Sequence, residues 1–326
     1  MQLDKPKIIL DTDPGGDDSF ALLWLQSLAK QGLADIVAVT ASAGNVNARN
    51  TFLGASKLLV AGGFDAVEVG RGVGQPGAEI EDAAHIHGAD GMGNLSHTLP
   101  EVSQSFETAR PSDEVLIEKL NQMPGEITIV AIAPLTNLAA AEQKSPGILK
   151  NAKEIVIMGG AFQTWGNVTP EAEFNIAFDP EAANVVLNSR DDLVVIPLDV
   201  THHLIFTPEM ARQVSQVNPQ NKISQFIVPL CEFMTSTALA YRETKGVSGF
   251  LVHDAATLAY LFYPEMLHFQ RAKVEIEMQG TWTRGKTLFD RRHSAKQSAN
   301  AWVALQTRSV DLLAVMVEDL KKLVQD

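Results

Sequence analysis

The sequence predicts an α/β protein. It has a mostly parallel central sheet with helices on both faces, a Rossmann-like open sheet, and a C-terminal helical elaboration. Three observations predict this. Its short β-branched runs are near-continuously apolar rather than alternating, as strands buried on both faces are. They alternate with helical stretches, as βαβ units do. After Asp199 the strand-like runs give way to helical ones.

Ile8–Leu10 is the first strand, and Asp17–Gln31 the first helix, closed by Gly32 at its C′ position. Ile36–Thr40 and Ala66–Val69 are strands flanking a helix at Ala48–Ala61. A helix over Asp113–Gln122 precedes strands at Ile127–Ile132 and Ile155–Met158. Asp179 caps a helix over Pro180–Asn188, with proline at the first helical position. Leu193–Leu198 is the sixth strand. Helical stretches then run from Thr207 to Tyr263. Strand-like Lys273–Met278 and Lys286–Phe289 follow, with a surface hairpin at Trp282–Arg292 and a last helix near Val310–Leu323. No Pro/Ser-rich linker or repeat divides the chain, so 1–326 is expected to be a single domain. The loop-rich stretches Gly70–Pro100 and Gly159–Phe178 carry polar residues beside glycines, and long loops in such folds are usually functional.

Composition narrows the function. Of 326 residues, 45% are hydrophobic and 20% charged, which excludes disorder, collagen and coiled coil as whole-chain descriptions. The net charge of −13 repels polyanions, so no nucleic-acid partner is expected and a small neutral or cationic substrate fits better. A single cysteine, Cys231, excludes an internal disulfide and a cysteine-based zinc cluster, and fits a reducing compartment. The N-terminus lacks a signal-peptide h-region, and no uncharged apolar run reaches the roughly 18 residues of a membrane helix. The expectation is a cytoplasmic protein without a membrane partner.

The most informative segment runs from Ile8 to Asp18. A strand ends, Pro14-Gly15-Gly16 turns, and a helix begins. Asp11, Asp13, Asp17 and Asp18 crowd that turn. Ligands of open α/β sheets bind outside the carboxyl ends of the strands. Four anions there repel one another unless a cation neutralises them or some take up protons, and the helix N-terminus offsets only part of this. Hard oxygen ligands without Cys or His point to Ca²⁺ or Mg²⁺ rather than zinc. Asp-x-Asp after a first strand also occurs in haloacid-dehalogenase-like phosphatases, which use Mg²⁺. Here, however, Asp17-Asp18 comes at once and Pro14 follows the Asp-x-Asp.

Asp11 through Ala21, read as Asp-x-Asp-Pro-Gly-x-Asp-Asp-x-x-Ala, resembles the N-terminal signature of the inosine/uridine-preferring nucleoside hydrolases. Gly44-Asn45, the loop His87–Gly93, Ala133–Asn137, Met158–Gly160, Asn167 with Glu173–Asn175, Asp199–His202 and His253-Asp254 agree in order. The resemblance covers nearly the whole chain. Gly16 stands where the family often has an apolar residue.

The resemblance implies calcium-dependent hydrolysis of the N-glycosidic bond of free ribonucleosides to ribose and base. It implies one Ca²⁺ per subunit, held by Asp13, Asp18, Asp254 and the Thr136 backbone carbonyl. Asp13 would also activate the attacking water at the metal, and the transition state would be oxocarbenium-like. Asp17 and Asn45 would meet the 2′ and 3′ side of the ribose, Asn167 and Glu173 its 5′ side, Asn175 its ring face, and Met158 would pack against it. His253, fixed beside Asp254, would assist departure of the base, with His87 and Tyr241 lining the base pocket. Trp165 leaves a mixed base preference open, and a homodimer or homotetramer is expected from the resemblance alone. Two readings stand beside this one: a Mg²⁺-dependent phosphatase, and a catalytically silent ribonucleoside-binding protein.

Overall fold

The computed structural model describes residues 5–74, 81–290, 292 and 298–325. The strands are β1 (Lys7–Thr12), β2 (Asp35–Ala41), β3 (Val69–Gly70), β4 (Ile127–Ala131), β5 (Glu154–Met158) and β6 (Leu193–Ile196), followed by β7 (Ile205–Phe206), β8 (Phe250–Leu251), β9 (Leu267–Ile276), β10 (Thr287–Asp290) and β11 (Ala301–Thr307). Nine of them form one sheet in the order β10-β9-β11-β6-β5-β4-β1-β2-β3, and β7 pairs with β8 apart from it. From β3 to β11 every pairing is parallel; β9 and β10 add an antiparallel edge. The mostly parallel sheet is as the sequence predicts.

Burial explains the apolar runs. Ile127–Ala131 is buried throughout, and Ile8, Ile9 and Leu10 are fully buried. One core lies on each side of the sheet. The larger joins Phe20, Trp24, Phe52, Phe226 and Leu258 from helices Gly16–Lys30, Ala48–Ala61, Lys222–Ala240 and Ala255–Phe262. The other joins Val115, Leu138 and Val186 from helices Ser112–Gln122, Thr136–Lys144 and Pro180–Leu187. Phe20 meets Phe206 and Phe250 with ring centroids 4.8 and 5.4 Å apart. Such pairs contribute about 1 kcal/mol each beyond their buried area. They tie the first helix to the small β7–β8 ladder.

Helix termini follow the sequence. Asp179 accepts from the Ala182 amide and Pro180 opens the helix, while Gly32 has φ +73° just past the first helix. Elsewhere the boundaries differ. The sixth strand stops at Ile196 because Pro197 follows, and Leu198 opens a short helix to Thr201. Only Val69–Gly70 of the third strand pairs, since Phe64 to Val67 close a turn before it. The stretch from Thr207 to Tyr263 contains β8, which two residues of pattern cannot reveal. The ninth strand begins at Leu267, well before Lys273. Strand β11 escapes the sequence reading altogether, yet it joins β6 to β9 at the centre of that half of the sheet. Trp282–Arg292 spans the turn from β9 into β10, as a hairpin should. Residue 291 within it, and 75–80 within the first long loop, lie outside the described residues.

Helix Lys222–Ala240 has the length and hydropathy to cross a membrane. It carries Glu232 and Pro229 and packs Phe226, Ile227, Leu230 and Cys231 into the core. It is a core helix by its contacts.

Chain order places the ligand end. From β1 the chain moves outward to β2 and β3, then returns to β4 on the other side of β1 and continues to β5 and β6. Strands β1 and β4 therefore flank the switch point, where open α/β sheets bind ligands at their carboxyl ends. Asp13 follows β1 there, and Thr136 follows β4.

Candidate active site

A cavity of about 480 Å³ opens at this end of the sheet. Asp17, Asp18, Asn45 and Asp254 line it, as do Met158, Asn167, Glu173 and Asn175. His87, Tyr241 and His253 line it too. Residues far apart in the chain thus meet at one place. Asp13 and Thr136 lie just outside the lining.

The aspartates are held by backbone geometry. Asp18 Oδ1 accepts from the Thr12 hydroxyl (2.7 Å) and the Asp13 amide (3.2 Å), and Oδ2 accepts from the Gly15 amide (3.0 Å) and Asn45 Nδ2 (3.0 Å). Asp13 Oδ2 accepts from the Asn45 amide at 2.6 Å. That approach requires Gly44, because a Cβ there would lie 2.0 Å from Asp13 Oδ2. Asp13 Oδ1 is buried and has no hydrogen-bond partner. Asp11 sits behind them, where Thr40 Oγ1 (2.6 Å) and Asn137 Nδ2 (2.8 Å) donate to it.

Burial and mutual repulsion dominate the electrostatics. Burial, then the charge of Asp18, pushes the Asp13 carboxyl well above the usual range. Burial, then Asp17, Asp18 and Asp13, does the same to Asp254. Asp17 is raised by burial and then by Asp18, and Asp18 is raised by burial. Burial brings Asp11 up to about 7.

Carboxylate oxygens of Asp17, Asp18 and Asp254 lie within 4.8 Å of one another. Crowded carboxylates with an orphan oxygen beside them fit a hard divalent cation, which removes the repulsion and occupies the free lone pairs. This compact set contains Asp17, which the resemblance assigns to ribose, and not Asp13. Thr136 lies at the start of its helix, and its hydroxyl donates to Asp179 Oδ2 at 3.0 Å, leaving its carbonyl unused by that bond.

The polar residues opposite are fixed by the loop after β5. Glu173 caps helix Phe174–Phe178, accepting from the Asn175 (2.8 Å), Ile176 (3.2 Å) and Gly160 (2.9 Å) amides. Burial raises its carboxyl. Asn175 Nδ2 donates to the Ile132 and Met158 carbonyls at 3.2 Å each. Asn167 is exposed at the rim, where its Oδ1 accepts from the Phe174 amide.

The histidines differ. His87 is buried, and its Nδ1 accepts from the Gly16 amide at 2.9 Å. Burial, then His85, brings it down to about 4. His253 Nδ1 is 2.7 Å from Thr201 Oγ1, and burial, then His202 and His87, brings it down to about 3. Both rings are neutral near pH 7. Tyr241 is 54% exposed at the mouth, with its ring edge-to-face with His85 at 5.5 Å. Trp165 is 61% exposed and pairs with Lys245 Nζ, 5.3 Å from the ring centroid.

Sequence reasoning missed several supporting groups. Thr12, Asn137 and Thr201 hold Asp18, Asp11 and His253; Asn137 and Thr201 lie in segments that carry the resemblance, but only the fold shows what they hold. Met234 lines the cavity from a helix that read as plain core.

Fold and site together define an α/β enzyme whose cavity sits over a carboxylate cluster at the switch point of a parallel sheet. The chain belongs to the inosine-uridine preferring nucleoside hydrolase family, whose model matches residues 8–314. It is 35% identical over 311 residues to a probable uridine nucleosidase of Oryza sativa subsp. japonica, covering 95% of this chain and 92% of the relative. It is 36% identical over 302 residues to a non-specific ribonucleoside hydrolase of Klebsiella pneumoniae, covering 91% and 92%. Among solved structures, a purine-preferring ribonucleoside hydrolase from Gardnerella vaginalis aligns with a TM-score of 0.88 at 25% identity, covering 98% of this chain and 99% of that one.

Proposed function

We propose that this chain hydrolyses the N-glycosidic bond of free ribonucleosides, giving ribose and base, and that it does so with calcium. The observation that carries the reading is the convergence of Asp17, Asp18 and Asp254 under a cavity whose other wall is Asn167, Glu173 and Asn175. Asp13, Asp18, Asp254 and the Thr136 carbonyl would hold the ion, an all-oxygen set that suits calcium. When bound, the cation supplies the positive charge that lets these carboxylates ionise together and makes a nearby water more acidic.

Asp13 takes the proton of the attacking water. Asp17 and Asn45 hold the 2′ and 3′ hydroxyls. Asn167 and Glu173 hold the 5′ hydroxyl, Asn175 faces the ring, and Met158 packs against it. The side-chain donors and acceptors match the hydroxyls of ribose. As the bond to the base lengthens, positive charge develops on the sugar, and the surrounding carboxylates and amide oxygens stabilise it. His253, its ring fixed by Thr201, donates an N–H to the departing base. His87 and Tyr241 line the base end.

A single domain across 1–326 fits a sheet that is continuous from β3 to β10 among the described residues. A cytoplasmic location without nucleic-acid partners fits the acidic composition and lone buried Cys231, and a homodimer or homotetramer rests on the family resemblance alone.

Product analysis tests the reading. Uridine incubated with calcium-loaded protein in phosphate-free buffer should yield equal amounts of uracil and free ribose. Folded protein that leaves both uridine and inosine intact after long incubation would reject it.

A further inference from the structure

The turn between β1 and the first helix is squeezed from two sides. A Cβ on Gly15 would lie 2.5 Å from Asn45 Nδ2 and 2.7 Å from His87 Nδ1. A Cβ on Gly16 would lie 2.5 Å from Met234 Sδ, 2.6 Å from its Cγ and 2.7 Å from its Cε. Met234 therefore occupies the space a side chain at position 16 would fill. It also lines the cavity, as does His87, whose Nδ1 accepts from the Gly16 amide.

We propose that Gly16 and Met234 together set the width of the base end of this cavity, with Met234 as an adjustable wall that lets one site accept both one-ring and two-ring bases. The inference rests on the hydrolase reading and assigns two residues of that site a part in base selection. The Gly16 backbone is a fixed stop, because its amide is bonded to His87 and the amide of its neighbour Gly15 is bonded to Asp18 Oδ2. Met234 is itself buried in the core, flanked on its helix face by the buried Leu230, Cys231 and Ala238. The cavity is the remaining free volume. Methionine has three rotatable bonds and a polarisable sulfur, so it changes shape at low cost. With no side chain at position 16 it lies back against the turn, and a two-ring base has room.

A methyl group at position 16 would push Met234 into the cavity. One methylene of misfit in an apolar pocket changes kcat/KM by roughly 10- to 200-fold. The test compares inosine and uridine for wild type, Gly16→Ala, Met234→Ala and the double variant, with thermal unfolding of each.

Wild type should hydrolyse both nucleosides. Gly16→Ala should lose about tenfold or more on inosine relative to uridine. The double variant should recover the inosine-to-uridine ratio of Met234→Ala, because the displaced side chain is gone. Independently of activity, Gly16→Ala should lower Tm in the wild-type background but not in the Met234→Ala background. Equal losses on both nucleosides, or additive effects in the double variant, overturn the proposal. Wild type active on only one ring class overturns it alone, whereas wild type active on neither nucleoside overturns the hydrolase reading and the inference with it.

Discussion

Asn45 Nδ2 lies 3.0 Å from Asp18 Oδ2 and 3.0 Å from the Asp13 carbonyl, so one amide from the loop after β2 ties together the turn after β1. Its own backbone N–H holds Asp13 Oδ2. The loops after β1 and β2 are thus locked to each other through one residue.

Asn45→Ala removes the side-chain bonds but keeps the backbone one. Partners that orient metal ligands typically cost about 10- to 100-fold in affinity or activity when removed. Calcium titration by calorimetry should show weaker binding in that range, and kcat/KM for uridine should fall in parallel. Unchanged calcium affinity would show that the amide does not orient the cluster.

Asp13→Asn keeps the shape and the acceptor for the Asn45 amide. It removes the group assigned as base, so kcat should fall about 10²- to 10⁴-fold with circular dichroism unchanged. Retention of more than a few per cent of wild-type kcat would reject Asp13 as base.

His253→Ala should depend on the leaving group. Turnover of uridine should fall about 10²-fold or more, because a departing uracil needs a donor. Turnover of p-nitrophenyl riboside, whose leaving group departs without one, should change little. Equal losses on both substrates would remove the leaving-group role.

Asp319 offers a pH prediction away from the site. It accepts from Trp24 Nε1 (2.9 Å) and the Tyr263 hydroxyl (2.6 Å), and also from Gln31 and Lys322. Burial works to raise its pKa, but these bonds outweigh burial and hold the carboxyl below its ordinary 3.8. Its contribution to stability is therefore present above about 4 and lost as pH falls through the depressed folded value. Asp319→Asn should cost about 1–3 kcal/mol near neutral pH. Urea unfolding should show the gap between variant and wild type narrowing in acid. A gap constant from pH 7 to 3 would contradict this.

Much of the fold was legible because parallel strands buried on both faces leave continuous apolar runs, as Ile127–Ile132 does. Strand β11 was not, because Trp302 leaves the apolar run exposed on one face and no glycine or proline marks its ends. The carboxylate cluster was legible because four of its members lie within one turn. That Asp17 also comes close to Asp18 and Asp254 was not, since side-chain direction at a turn depends on contacts from elements far along the chain. Neither was Thr201 behind His253, a contact between residues that only the fold brings together. Gly16 read as a turn that lacks an apolar side chain; the structure supplies one from Met234 instead.

The most direct test of the central claim is release of reducing sugar from uridine, cytidine, inosine, adenosine and xanthosine, with and without a calcium chelator. Ribose should appear from at least one nucleoside, stop on chelation and return when calcium is restored. Folded, calcium-replete protein that releases no ribose from any of the five, but frees phosphate from a phosphomonoester with Mg²⁺, would contradict the account.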